Sequence, residues 1–227
     1  MSGILEVIDF ARYPINDLDA FAMDCNARLD LDGTLSLPGF ITDAALKAIK
    51  TEAENTKKSA YFCAQMHTVY LSAPDPSYSD NHPRNRQVVS TKGCLTDDQI
   101  SSESPLRAIY DHDDFRKFLC VVLGEAALYP YEDPLSSLNV HYYAAGQELG
   151  WHFDNSSFAI TLMIQTPQAG GELEYVKQLR NSATGDMNFD GVGTVLGGSI
   201  DPNRLVTTQN SQNLRAKHFP SSGAEQT

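Results

Sequence analysis

At 227 residues the chain is long enough for one domain with a substantial core. Its 17 basic and 29 acidic residues leave a net charge of −12, which opposes binding to phosphate backbones and anionic lipid surfaces, so no nucleic-acid or membrane partner is expected. Cys25, Cys63, Cys94 and Cys120 form no CxxC pair, which argues against a zinc knuckle or a thioredoxin-like site.

From Met1 to Ala20 the chain carries Glu6, Asp9, Asp17 and Asp19 and lacks a basic start followed by an apolar run, so no signal peptide is expected. No window is apolar for long enough to span a bilayer, and a cytoplasmic setting with reduced thiols follows as the expectation. Met1 to Leu31 reads as a polar leader with weak helical character. Leu35 to Ile41 predicts a short strand ending at Pro38-Gly39. Thr42 is placed as an N-cap for a helix to about Asn55, with Ala45, Leu46, Ile49 and Ala53 on one face.

Tyr61 to Ser72, rich in aromatic and β-branched residues, predicts a strand, and the Pro/Asp/Ser/Asn-rich stretch from Ala73 to Asn85 a loop. Ser104-Pro105 pairs a cap with a proline at the first helical position. A further helix is expected from Asp113 or Asp114 to Val122, stopping at Gly124, with Asp111, Asp113 and Asp114 favoured at its start by the helix dipole. Beyond Leu138 the pattern changes to short strands: Leu138 to Tyr143, Phe158 to Thr166 and Glu172 to Val176. Helices first and strands afterwards predict an α+β domain, a sandwich with the N-terminal helices packed on one sheet.

The chemistry-bearing stretch is Leu138 to Val176. His152 and Asp154 are two residues apart, so on an extended segment both side chains project to one face and can share one octahedral cation. Two histidines and one carboxylate with open positions are the pattern of non-haem iron oxygenases. An isolated HxD pair occurs in many proteins as a plain hydrogen-bonded pair. The neighbourhood is more specific: Asn139, His141 and Tyr143 form a polar strand face before it, and Phe158 to Ile164 is nearly continuous apolar sequence after it.

The order Tyr143-x-x-Gly146, Trp151-His152-x-Asp154, an apolar strand, then Gly170-Gly171-Glu172-Leu173 resembles the iron(II)/2-oxoglutarate-dependent oxygenases of the prolyl-hydroxylase type. His82-Pro83-Arg84, the helices near Leu106 and Phe115, Asp133-Pro134-Leu135 and Asn139 resemble the bacterial subfamily that hydroxylates or chlorinates free amino acids. The resemblance covers roughly Leu35 to Ser199. It implies a double-stranded β-helix (jelly roll, cupin-like) over 35–205, between a leader over 1–34 and a divergent polar tail over 206–227.

For the site, the resemblance implies Fe(II) held by His152 and Asp154, with 2-oxoglutarate and O2 as co-substrates and a free amino acid as the small-molecule substrate. Tyr143 would donate to a 2-oxoglutarate carboxylate, with Asn139 lining the same pocket; for each, a structural strand residue stays open. Radical halogenases of the subfamily carry a small residue in place of the ligand carboxylate, which vacates a position for chloride. Asp154 fills that position here, and the implied reaction is hydroxylation.

The resemblance also calls for a second histidine from a later strand and for an arginine or lysine facing the far carboxylate of 2-oxoglutarate. The one later histidine is His218, followed by no basic residue, in a tail (206–227) that lacks the expected glycine turn and strand. Two expectations stay open. His218 is the third ligand, with Arg204 or Arg215 reaching the co-substrate; or the tail departs from the family, as a truncated gene product would, and the chain is a catalytically silent jelly roll. A metal-binding cupin of unrelated chemistry is a third. Trp151 is expected to pack beside the metal strand and Asn155 to form a turn, and His82 is expected on a loop, either as an ordinary loop residue or as part of a lid over the substrate.

Overall fold

The computed structural model describes residues 6–133, 135–156, 158–177, 179–180, 184–204 and the backbone of 205 and 214–215. Helix α1 spans Phe21–Asp32 and buries Ala22, Cys25 and Leu29. These apolar positions are spaced by three and four residues, one helical face. Helix α2, Asp43–Thr56, starts where its cap requires: the Thr42 hydroxyl accepts the Ala45 N–H at 3.3 Å. Replacing Thr42 with alanine orphans that donor, and we expect a loss of about 1 kcal/mol in denaturant unfolding with an unchanged m-value.

Helix α3, Pro105–Tyr110, has the Ser104 hydroxyl as its cap and proline in its first turn. Helix α4, Asp113–Leu123, ends on Gly124 at φ +70°, a left-handed conformation that glycine adopts without steric cost. Its first-turn carboxylates pair forward, Asp113 with Arg116 at 3.1 Å and Asp114 with Lys117 at 3.3 Å.

Three antiparallel strands form the main sheet in the order β1 (Tyr61–Thr68), β2 (Gln87–Leu95), β3 (Val140–Tyr142). The register sets Lys92 opposite Cys63 and Cys94 opposite His141. Because side chains alternate along each strand, the sheet has two unlike faces. Leu95 and Val140 point into the main core among Ile49, Leu106, Ile109 and Phe118, and the Tyr142 hydroxyl donates to Ala53 O on α2 at 2.7 Å. His67, Ser90, Lys92, Cys94 and His141 lie on the other face. Helices α1 to α4 therefore contribute to the core on one face of this sheet, and the other face carries these polar side chains.

The same core holds Ile8, Tyr13, Ile15, Ala22, Cys25 and Leu29 from the first 34 residues, and the Phe21 ring stacks on Phe118 with centroids 5.7 Å apart. Leu35 to Ile41, expected as a strand, buries Leu35, Leu37, Phe40 and Ile41 without forming one; it turns at Gly39 (φ +72°) and makes a single bridge, Ile41 with Ile8. With four inward side chains in seven residues, the segment does not alternate as a half-buried strand does.

After Tyr142 the regular elements are short. Strand β4 is Thr161–Leu162, β5 Leu173–Tyr175, helix α5 Phe189–Leu196, β6 Asn203–Leu205 and β7 Leu214–Arg215; β4 pairs with β7 and β5 with β6, both antiparallel. The expected strand over Phe158 to Thr166 contracts to two paired residues. The chain is thus mixed α/β with antiparallel sheets, and the described residues form no closed barrel. None of their helices is long and apolar enough to cross a membrane. Val69, Tyr70, Phe153 and Val192 form a second core cluster, against which Trp151, Leu179, Met187 and Phe189 pack.

Candidate metal centre

His152 and Asp154 lie on an extended segment laid across the sheet, and three contacts fix that segment to β2. Thr91 N–H donates to Glu148 O at 2.7 Å, Glu148 N–H to the Thr91 hydroxyl at 3.0 Å, and Gly150 N–H to the Ser90 hydroxyl at 2.9 Å. The approach at Gly150 is so close that a Cβ there would lie 2.6 Å from Val89 O, a backbone atom of β2.

Phe153 anchors the next step. Its N–H donates to Val69 O at 2.8 Å, and its buried ring meets Tyr70 at 5.4 Å with the Arg180 guanidinium 4.4 Å above it. With Phe153 turned into the second cluster, His152 and Asp154 turn together to the other side, as the alternation of an extended chain requires. Their side chains meet with Nε2 to Oδ1 at 3.3 Å, and both are partly shielded from solvent. Trp151 packs against the second cluster.

The tautomer of His152 follows from its other nitrogen. Nδ1 is 2.8 Å from Gly150 O; a carbonyl only accepts, so Nδ1 carries the proton. In the neutral ring Nε2 then presents its lone pair toward the Asp154 carboxylate. Two acceptors at this separation repel unless a cation lies with them, either a proton on the imidazole or a metal ion. A backbone carbonyl that holds Nδ1–H while Nε2 faces a carboxylate is the usual outer support of a metal-ligating histidine. The pair fits a divalent cation as two of its ligands. Among the described residues no group of three His, Cys, Asp or Glu side chains could hold a metal, and His218 lies outside them.

Behind the pair stands a second imidazole that inspection of the sequence did not single out. The His67 ring lies edge-on to His152 with centroids 6.2 Å apart. Its Nδ1–H donates to Thr68 O at 3.0 Å, so Nε2 accepts from the Ser90 hydroxyl at 2.7 Å. Ser90 thereby joins His67 to Gly150, the residue whose carbonyl orients His152. The available signal was the two-residue spacing of Cys63, Gln65 and His67 on one strand face. Removing the Ser90 hydroxyl leaves the half-buried Gly150 N–H without its acceptor, at a cost of about 1 kcal/mol. Ser90→Ala is expected to weaken divalent-metal binding by about 10-fold or more, measured by anaerobic titration.

Asn139 and Tyr143 share this face with His141. The Asn139 side chain accepts from the Cys94 thiol at 3.2 Å. The Tyr143 ring stands edge-on to His141 at 6.3 Å, and burial first, then Cys94, pushes its phenol up, so it stays a hydrogen-bond donor at neutral pH. His82 stacks on Tyr78 at 4.3 Å and meets Phe189 edge-on at 5.0 Å. His82 and Phe189 border an open cleft of about 460 Å³, lined also by the other residues from Gly185 to Asp190.

Arg204, expected to reach the co-substrate, is engaged elsewhere. Its guanidinium lies 2.9 Å from Glu174, 3.6 Å from Glu172 and 3.8 Å from Asp201, an exposed cluster at the β5–β6 ladder. Arg215 contributes backbone pairing to Thr161.

Among curated proteins none matches the chain. A family model described as Halogenase D matches residues 19–187, from the start of α1 through the His152–Asp154 segment to the turn before α5. That span is well over half of the sequence and includes every element that positions the pair, so the chain belongs to the halogenase D family.

Proposed function

We propose that the chain is an iron(II)- and 2-oxoglutarate-dependent oxygenase of the prolyl-hydroxylase type that hydroxylates a small molecule, a free amino acid by class. One observation carries this reading: His152 Nε2 and Asp154 Oδ1 converge at 3.3 Å, while Nδ1 is committed to Gly150 O. Membership of the halogenase D family is consistent with the broader class of iron oxygenases. The antiparallel ladders β1–β2–β3, β4–β7 and β5–β6 suit the separate parts of a rolled sheet.

His152 and Asp154 would hold the ion, and the resemblance calls for a further histidine, a role open to His218, which lies outside the described residues. Bound ferrous iron would supply oxygen activation, coupled to conversion of 2-oxoglutarate to succinate and CO2. The protein's own part is geometric. Gly150 O and Ser90 set the imidazole, Phe153 fixes the direction of both ligands, and Tyr143 would donate to a co-substrate carboxylate. Asp154 would select hydroxylation, because as a ligand its carboxylate would take the place that chloride needs in radical halogenation.

The test is uncoupled turnover: succinate formed from 2-oxoglutarate under air with added iron and ascorbate. Succinate from the native chain that vanishes in His152→Ala supports the reading. A native chain that neither binds iron nor forms succinate is a silent family member instead. Metal binding indifferent to 2-oxoglutarate would point to a cupin of other chemistry.

A further inference from the structure

The same sheet face carries a cation that none of the preceding roles uses. Lys92 lies two residues from Ser90 along β2, so its side chain projects to the same side. One such step is about 7 Å along a strand, roughly the span of a five-carbon dicarboxylate. Lys92 Nζ lies 3.2 Å from His141 Nε2, and among the described residues no carboxylate comes within 4.0 Å of it. In a chain with a net charge of −12, a half-buried ammonium whose described partner is an imidazole and not a carboxylate is set up to receive an anion from outside.

We propose that Lys92, held by His141 and flanked by Tyr143, binds the far carboxylate of 2-oxoglutarate, the role for which an arginine or lysine after Asp154 was sought. This assignment rests on the oxygenase reading above.

His141 and Tyr143 carry no negative charge that would oppose an anion. The His141 imidazole is pushed down to about 4, first by the protein packed around it and then by the Lys92 ammonium. It is therefore uncharged at neutral pH and accepts an ammonium N–H through Nε2. That leaves the remaining Lys92 protons for a ligand. The Tyr143 phenol has no hydrogen-bond partner among the described residues and keeps its proton. Both His141 and Tyr143 remain open to solvent, Tyr143 at 47%, although burial is the first cause of both shifts. Their exposure leaves room for an incoming carboxylate. An ammonium and a phenol hydroxyl can donate to its two oxygens together, and charge-assisted bonds of this kind are the strong ones.

The experiment is calorimetric titration of the full chain with manganese(II) in place of iron and without oxygen, so that binding is read without turnover. Two ligands are compared, 2-oxoglutarate and 2-oxopentanoate, which keeps the metal-chelating end and lacks the far carboxylate. The native chain is expected to prefer 2-oxoglutarate. Lys92→Gln and Lys92→Met should each lose about 10- to 100-fold of 2-oxoglutarate affinity and leave 2-oxopentanoate unchanged, with Lys92→Arg recovering much of the loss. Native-like 2-oxoglutarate affinity in both variants overturns the Lys92 assignment and leaves the oxygenase reading standing. Equal weakening of both ligands also overturns it, since the lysine would then act on the fold. If the native chain binds neither keto acid, the oxygenase reading falls and the assignment falls with it.

Discussion

Replacing Asp154 with glycine is expected to lower hydroxylated product by more than about 100-fold. Even outer partners of a metal ligand are worth 10- to 100-fold in affinity or activity, and Asp154 Oδ1 faces His152 Nε2 directly at 3.3 Å. In the proposed site the carboxylate would also supply negative charge to balance a divalent cation, so the neutral variant should hold ferrous iron more weakly. The vacated position is the one that chloride takes in radical halogenases, which makes the variant informative in a second way. With millimolar chloride, residual turnover in Asp154→Gly should shift from hydroxylated toward chlorinated product, read by mass spectrometry. Undiminished hydroxylation in this variant would show that Asp154 is not at the metal.

The second large effect is expected at Gly150. A Cβ at this position meets Val89 O at 2.6 Å and Val88 Cγ2 at 3.0 Å. Val89 lies inside β2 and is paired with Met66 on β1, so the carbonyl cannot withdraw without distorting the sheet. The 148–154 segment must lift instead. That breaks the Gly150 N–H bond to Ser90 and shifts the carbonyl that orients His152. Overpacking of this kind costs about 1–3 kcal/mol. Gly150→Val should therefore unfold at lower denaturant and bind divalent metal at least about 10-fold more weakly, with Gly150→Ala between it and the native chain. Native-like metal affinity in Gly150→Val would mean that the docking of this segment on β2 does not set the pair.

What was legible in the sequence was local. Thr42, Ser104-Pro105 and Gly124 mark helix ends because a cap acts on neighbouring donors and acceptors within a few residues. The common direction of His152 and Asp154 was legible for the same reason, as a property of two residues on an extended chain. Strand β2 was not, since Gln87 to Leu95 mixes Ser90, Lys92 and Gly93 among its valines. Its polar residues face the candidate site, so the pattern of a buried strand is interrupted there. Helix α1 carries a weak signal because its buried positions include the small residues Ala22 and Cys25. Helix α5 hides behind Gly191 and Gly193, residues of low helix propensity held there by the second core cluster. Lys92 is not legible for a different reason: the resemblance places the cation after Asp154, whereas only the pairing of β2 with β3 sets Lys92 beside His141.

The account depends on one ferrous ion shared by His152 and Asp154, and anaerobic titration of the full chain with ferrous iron tests that directly. The prediction is one ion per chain, with affinity reduced by more than about 100-fold in His152→Ala and in Asp154→Ala while both variants keep the native circular-dichroism spectrum. Iron binding of native strength in either folded variant would contradict it.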